Sequence, residues 1–259
     1  MTTDALDSIA TPAGRTITLG GLPITVVDRA QAARQMVWLA RQRRPRPLFL
    51  TSANGEVVAR TARDPAIAAL FLAADQIVAD GQPLVIASRL LCREALPERV
   101  ATTDLFHDVA QLAEVDGVTF YFYGATAEQN AAALAAARAK YPKLNIVGAS
   151  HGYLNGDALL AKLDEINALG PDIVWLGLGV PREQLFFRDH ADRLGNVGLI
   201  KTSGGLFDHM AGTVARAPGV VQRLGFEWLW RMLMEPRRLA WRYLSTNPRA
   251  AWAILRNSQ

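Results

Sequence analysis

Short apolar runs alternate with helical stretches along most of this chain, and that alternation constrains its fold more than any other feature. The runs are LFLTS (48–52), QIVAD (76–80), VTFYFYG (118–124), NIVG (145–148), DIVWLGLG (172–179) and VGLIKTSGG (197–205). Helical patterns fill the intervals at 54–62, 65–73, 83–91, 104–114, 127–140, 157–168 and 182–193. An earlier one spans 29–42, with Ala33, Val37 and Ala40 on one face. Strands that are apolar at successive residues have both faces covered, and helices between them supply the crossovers of a parallel sheet. The spacing therefore predicts an α/β fold with a mostly parallel sheet and helices on both faces. Ahead of it, TITL (16–19) and ITVV (24–27) flank GGLP, which predicts a short N-terminal hairpin.

The 259 residues are half apolar, with 20 Gly, 13 Pro and one cysteine. That composition excludes disordered, collagen-like and disulfide-stapled chains, and Cys92 alone supports neither an internal disulfide nor a cysteine-rich metal site. The opening MTTDALDSIATPAGR carries acids and no apolar core, so no secretory signal is expected. No apolar stretch approaches the ~20 residues that span a bilayer. A soluble protein, or one lying on a membrane surface, is expected.

In an open α/β sheet the ligand site lies beyond the carboxyl ends of the strands, which selects the polar residues that matter. The first such rim holds Thr51, Ser52 and Asn54, and the second Asp80 and Gly81. Gly124 and Thr126 follow the third run, Gly179, Arg182, Glu183 and Gln184 the fifth, and Ser203, Gly204 and Asp208 the last. GATAEQN and GLGVPREQ each place glycine before a helix start, a form that brings backbone N–H groups to a phosphate or simply makes the turn. The pair Gly177 and Gly179 lacks the third glycine of a dinucleotide fingerprint, so a nicotinamide cofactor is poorly supported. Asp80 ends an apolar strand. A carboxylate there serves either as a general base with a burial-raised pKa or as the N-cap of the helix beginning near Pro83. The four histidines (107, 151, 190 and 209) show no paired ligand spacing, and no metal is expected. Hydrolase and P-loop motifs are absent.

Composition breaks at Arg216. From there to residue 259 the chain carries eight arginines, no lysine, two acids and four of its six tryptophans, while residues 1–215 carry a net negative balance. Arg231, Arg238, Arg242, Arg249 and Arg256 stack on one face of a helix, with Pro236 and Pro248 expected to kink or break it. Trp and Leu on the other faces read as an interfacial amphipathic element, each arginine contributing about 1 kcal/mol near an anionic leaflet. Packing of the tail on the body is the competing reading, and nucleic acid is disfavoured by the body's charge. The expected organisation is a 1–15 tail, a 16–215 α/β catalytic core and a 216–259 basic, Trp-rich helical appendage.

Taken together, the segments TSANGEVVARTARDP, ADQIVADG, LPERVATTDL, YPKLNIVGASHGY, PDIVWLGLGVPREQ and RAPGVVQRLGFEWLWRMLMEPRRLAWRYLSTNP resemble the WecG/TagA/CpsF glycosyltransferases, in order and from about residue 17 onward. The resemblance implies a Rossmann-like core with a membrane-associating appendage. It implies an inverting, metal-independent transfer of sugar from a UDP-sugar to a polyprenyl-diphosphate-linked saccharide, during cell-surface polysaccharide assembly on the cytoplasmic face. By position, Asp80 is the base, Asn54 lies near sugar and acceptor, and Arg99 stabilises the diphosphate leaving group, with Gln184 in a substrate-contacting region. Thr51 or Ser52 takes the hydroxyl role that precedes the asparagine. Apart from the resemblance, Gly124 and Gly179, which lie in the two glycine-before-helix segments, are expected to bind substrate, and Arg231, Arg238 and Arg242 to face the membrane or a phosphate.

The chain departs from the family pattern where Glu183-Gln184 replaces the usual Gln-Glu order and where Thr102 stands for a common glycine. Expected partners are the UDP-sugar, the lipid-linked acceptor and an anionic membrane surface, without a cofactor or nucleic acid; a homo-oligomer is compatible with these. At this level two other classes stay open, a nucleotide-sugar-dependent oxidoreductase and a non-catalytic membrane-bound assembly subunit.

Overall fold

The computed structural model describes residues 14–214, 217–218, 221, 227–234 and 236–259, with the side chains of 227, 228, 231 and 236–245 outside the described set. Strands β1 (Thr16–Leu19) and β2 (Leu22–Thr25) form the antiparallel hairpin, pairing Ile17 with Ile24 and Leu19 with Leu22. Only Gly20 and Gly21 make the turn, at φ +59° and +84°. Two central residues with positive φ match the twist of a two-residue hairpin, which is why glycine occupies both places. The second strand therefore starts two residues earlier than its apolar pattern indicates, with Pro23 on its exposed side.

Helix α1 (Arg29–Ala40) leads into β3 (Leu48–Ala53), followed by α2 (Gly55–Arg63), α3 (Pro65–Leu72), β4 (Gln76–Ala79) and α4 (Gln82–Leu91). Then come α5 (Thr102–Asp116), β5 (Phe120–Gly124), α6 (Ala127–Lys140), β6 (Ile146–Ser150), α7 (Gly156–Leu169), β7 (Ile173–Gly177), α8 (Arg182–His190), β8 (Leu199–Thr202) and α9 (Leu206–Met210). Helices α10 (Glu227–Met234) and α11 (Pro236–Arg256) follow. The main sheet has six strands in the order β4-β3-β8-β7-β5-β6, and β3/β8, β7/β8, β5/β7 and β5/β6 pair in parallel. Every residue of β5, β7 and β8 is buried, so both faces of these strands are covered, as the unbroken apolar runs require.

Two compact units interleave along the chain. Among the described residues, one comprises 30–51 and 102–214; the other comprises 14–29, 52–101 and those from 217 onward. In the first, Phe106 of α5 is the centre of an aromatic core, its ring 5.0 Å from Trp175 and 5.8 Å from Phe122 in edge contacts. Rings at this separation add to their large buried area.

In the second unit α11 packs along α2, with the small buried residues Ala250 and Ala253 on its inner face. A Cβ placed on Gly55 would lie 3.9 Å from Ala250, so the helices approach closely. Pro236 opens α11, where a missing N–H costs nothing. Pro248 lies in its interior and the helix is continuous through it, contrary to a break at that residue. Packing on α2 accounts for this, since tertiary contact overrides local propensity. Residues 257–259 close the unit: Thr18 and Gln259 exchange N–H···O bonds of 3.2 and 3.0 Å, and Gly21 N–H donates to Asn257 O at 2.9 Å. Among the described residues no helix is long and apolar enough to cross a membrane.

Candidate active site

The catalytic candidates Asn54, Asp80 and Arg99 all belong to the second unit, and the backbone stitches them to one rim. Strand β3 ends at Ala53, whose carbonyl accepts the N–H of Asp80 at 2.8 Å. Strand β4 ends at Ala79, whose carbonyl accepts the N–H of Val100 at 2.8 Å. Asn54, Asp80 and Arg99 are therefore each next to, or part of, a bonded step, and all three are half-buried. A Cβ on Gly81 would sit 3.4 Å from the Asn54 Cβ, an ordinary van der Waals contact, so the Asp80-Gly81 turn lies directly against Asn54.

The two polar side chains are used differently. Asn54 is the N-cap of α2, its Oδ1 accepting Val57 N–H at 3.1 Å. For Asp80, the backbone gives the N-cap position of α4 to the next residue, Gly81. The sequence-based N-cap reading placed Asp80 one residue too early for that position.

A second polar group lies in the first unit, at the carboxyl ends of β3, β7 and β8. Thr51, 1% exposed, shares a 2.9 Å hydroxyl–hydroxyl bond with Thr202 and accepts from Gln184 Nε2 at 3.3 Å. Ser52, the next residue along the strand, is half-buried and belongs to the second unit. Gln184 is also 1% exposed, yet among the described residues its Oε1 has no hydrogen-bond partner, and the same holds for the buried Ser203 hydroxyl. Buried polar atoms without partners are uncommon and mark places where a ligand's polar groups fit.

Glu183, a rim residue assigned no role from sequence, and Lys201, which strand-end position did not select, organise this cluster. Glu183 is 2% exposed, and its Oε1 accepts the N–H groups of Leu178 at 3.2 Å and Gly204 at 2.8 Å, tying the loop after β7 to the loop after β8. Burial pushes the Glu183 carboxyl above the usual range, opposed by its backbone donors and by the Lys201 ammonium. Lys201, wholly buried, donates to Thr202 O at 2.9 Å. The one available signal was a lysine inside the apolar run VGLIKTSGG.

The two candidate glycines have separate reasons to be glycine. Gly124 has φ +139°, and a Cβ there would fall 2.2 Å from the Gly177 carbonyl oxygen, because the adjacent backbones of β5 and β7 meet at this point. Gly179 has φ +77°, and a Cβ there would meet nothing within 4 Å, so it faces open space. The GATAEQN segment forms a capping box: Thr126 Oγ1 accepts Gln129 N–H, and Gln129 Oε1 accepts Thr126 N–H, both at 3.2 Å. Asn130 Nδ2 donates to the carbonyls of Gly124 and Ser150 at 3.0 Å, fixing the same turn.

Among the described residues no group of three His, Cys, Asp or Glu is arranged to hold a metal ion. His107 bonds the Tyr141 hydroxyl at 2.8 Å, and His209 Nδ1 lies 3.0 Å from Val214 O. Arg231 falls in α10, and Arg238 and Arg242 in α11; their side chains lie outside the described residues.

Comparison of the sequence with known proteins points to one family. Residues 17–259 match the sequence profile described as the Glycosyl transferase WecG/TagA/CpsF family. A curated relative from Bacillus spizizenii (strain ATCC 23059 / NRRL B-14472 / W23), named N-acetylglucosaminyldiphosphoundecaprenol N-acetyl-beta-D-mannosaminyltransferase, is 32% identical over 214 residues, covering 82% of this chain and 80% of the relative. With the profile spanning nearly every residue from the hairpin to the last helix, the chain belongs to the WecG/TagA/CpsF family of glycosyltransferases.

Proposed function

We propose that this glycosyltransferase moves N-acetylmannosamine from its UDP-linked form to an N-acetylglucosaminyl-diphosphate-polyprenol, inverting the anomeric centre without a metal ion. The sugar and the acceptor follow the name of the Bacillus relative. The observation that carries the mechanism is the placement of Asn54, Asp80 and Arg99 on one rim, with Gly81 rather than Asp80 at the N-cap position of α4.

In this reading the acceptor hydroxyl attacks the anomeric carbon while the bond from that carbon to the UDP oxygen breaks. Asp80 takes the hydroxyl proton, as a half-buried carboxylate at a strand end is suited to do. The electron pair leaves on UDP, whose developing charge is met by the Arg99 guanidinium, a fork that binds phosphate oxygens in pairs. Gln184 Oε1 and Ser203 Oγ, buried and unpartnered, supply polar contacts to the donor. The basic, Trp-rich tail holds the enzyme against the anionic inner face of the membrane, where the lipid-linked acceptor resides.

The test is UDP release from a panel of UDP-sugars with a synthetic lipid-diphosphate acceptor, run with and without EDTA. Turnover only with UDP-N-acetylmannosamine, undiminished by EDTA, is expected. Preference for another donor would reassign the sugar, and loss with EDTA would overturn the metal-free step.

A further inference from the structure

A basic cavity of about 420 Å³ lies between α2, α3 and α11, within the second unit and formed by residues assigned no role in the transfer. Its volume falls in the range of about 300–1,000 Å³ usual for ligand sites. Arg60 and Arg63 of α2 and Arg249 of α11 line it, with Thr246 and the apolar Ile67. Its one acid is already engaged: Asp64 Oδ1 accepts the N–H groups of Ala66 at 2.9 Å and Ile67 at 3.4 Å as the cap of α3. Arg60 is paired with Glu56 at 2.8 Å. Arg63 and Arg249 are exposed and have no ion-pair or hydrogen-bond partner among the described residues. Two guanidinium groups from different helices thus line one cavity in which three arginines outnumber the single acid, Asp64. Such forks match the paired oxygens of a phosphate.

The neighbouring surface says what carries that phosphate. On the last turns of α11, Ala250, Ala253 and Ile254 are buried while Trp252 and Leu255 are 65% and 67% exposed. Arg249 and Arg256 flank them on the exposed side. Exposed Trp and Leu framed by arginines are the make-up of a helix seated at a membrane interface, the tryptophan at headgroup level.

We propose that the cavity lined by Arg60, Arg63 and Arg249 binds the phosphate headgroup of an anionic membrane lipid and seats Trp252 and Leu255 at the acyl boundary. This rests on the reading that the acceptor is lipid-linked. The site would orient the full chain on the bilayer through a pocket that joins the tail to α2, rather than through diffuse tail charge alone.

The experiment is sedimentation of the full-length protein with phosphatidylcholine vesicles, with and without phosphatidylglycerol. The Arg63→Gln/Arg249→Gln double variant is compared with Arg34→Gln/Arg138→Gln, an equal change of charge at exposed sites elsewhere. About a 25-fold loss of phosphatidylglycerol-dependent binding is expected for the pocket variant, roughly fivefold per arginine, and little change for the control. Arg63→Lys/Arg249→Lys, which keeps charge but not the fork, should lose an intermediate amount, and unchanged denaturation midpoints establish that the variants are folded. Equal losses in pocket and control variants would overturn the proposal. So would binding of inorganic phosphate by the wild type with vesicle binding indifferent to the pocket substitutions. UDP release onto a short-chain, water-soluble acceptor should be the same in the pocket variant and the wild type. Failure of the transferase reading would abolish that release in the wild type and leave the vesicle result untouched.

Discussion

The Glu183 carboxylate accepts the backbone N–H of Gly204 at 2.8 Å from a position that is 2% exposed, so one buried side chain fixes two of the loops at the sheet's carboxyl rim. Because burial raises its pKa in the folded state, its favourable contribution is complete below the ordinary glutamate value and is lost as pH rises through the folded value. Stability of Glu183→Gln relative to wild type should therefore increase as pH rises above the ordinary glutamate range, then level off. Denaturant unfolding across that range checks this; a pH-independent difference would mean the carboxyl titrates normally. Glu183→Ala leaves the N–H groups of Leu178 and Gly204 without this acceptor and should cost about 2–5 kcal/mol at any pH.

Asp80→Asn removes the proposed proton acceptor with almost no change in shape. Turnover should fall by about 10²–10⁴-fold, with KM for the donor nearly unchanged, because the loss falls on the transition state. The kcat/KM split in a UDP-release assay reads this. Near-normal turnover would leave Asp80 without a catalytic role.

Asn54 separates structure from chemistry. Asn54→Ala removes the α2 cap and should cost about 1 kcal/mol, whereas Asn54→Ser, also a good cap, should cost only a few tenths. If Asn54 also contacts substrate, both variants lose turnover while only the first loses stability. Parallel melting and rate measurements distinguish the two roles.

Gly124→Ala should be among the most damaging single changes in the chain. Its φ of +139° strains any side chain, and the added Cβ meets backbone at 2.2 Å, which does not rotate away. A loss of about 3–5 kcal/mol is expected. Gly156→Ala, with φ +52° but nothing within 4 Å, should cost about 1 kcal/mol by the same chemical-denaturation measurement.

The sheet was legible because buried parallel strands demand unbroken apolar runs, and the runs at 118–124 and 172–179 contain β5 and β7. Element ends were less so. The hairpin turn took two residues rather than four because Leu22 and Pro23 fit the strand once both glycines turn, a choice that depends on φ and not on hydropathy. Pro248 stays helical because α2 packs beneath it, a contact no local rule contains.

At the candidate site, strand-end logic selected Asn54, Asp80, Thr51 and Gln184. It missed the joint action of Glu183 and Lys201, since a buried charge is defined by what surrounds it after folding. The cavity at Arg63 and Arg249 was hidden for a related reason. Those residues are 186 positions apart, and only the packing of α11 on α2 makes them neighbours.

The reciprocal bonds between Thr18 and Gln259 set an order on biosynthesis. Residue 18 leaves the ribosome early, yet its bonds to Gln259 form only once residue 259 has been translated. The two halves of this contact are thus made 241 residues apart in synthesis, and substitutions that displace residues 257–259 should slow maturation of a hairpin translated long before them.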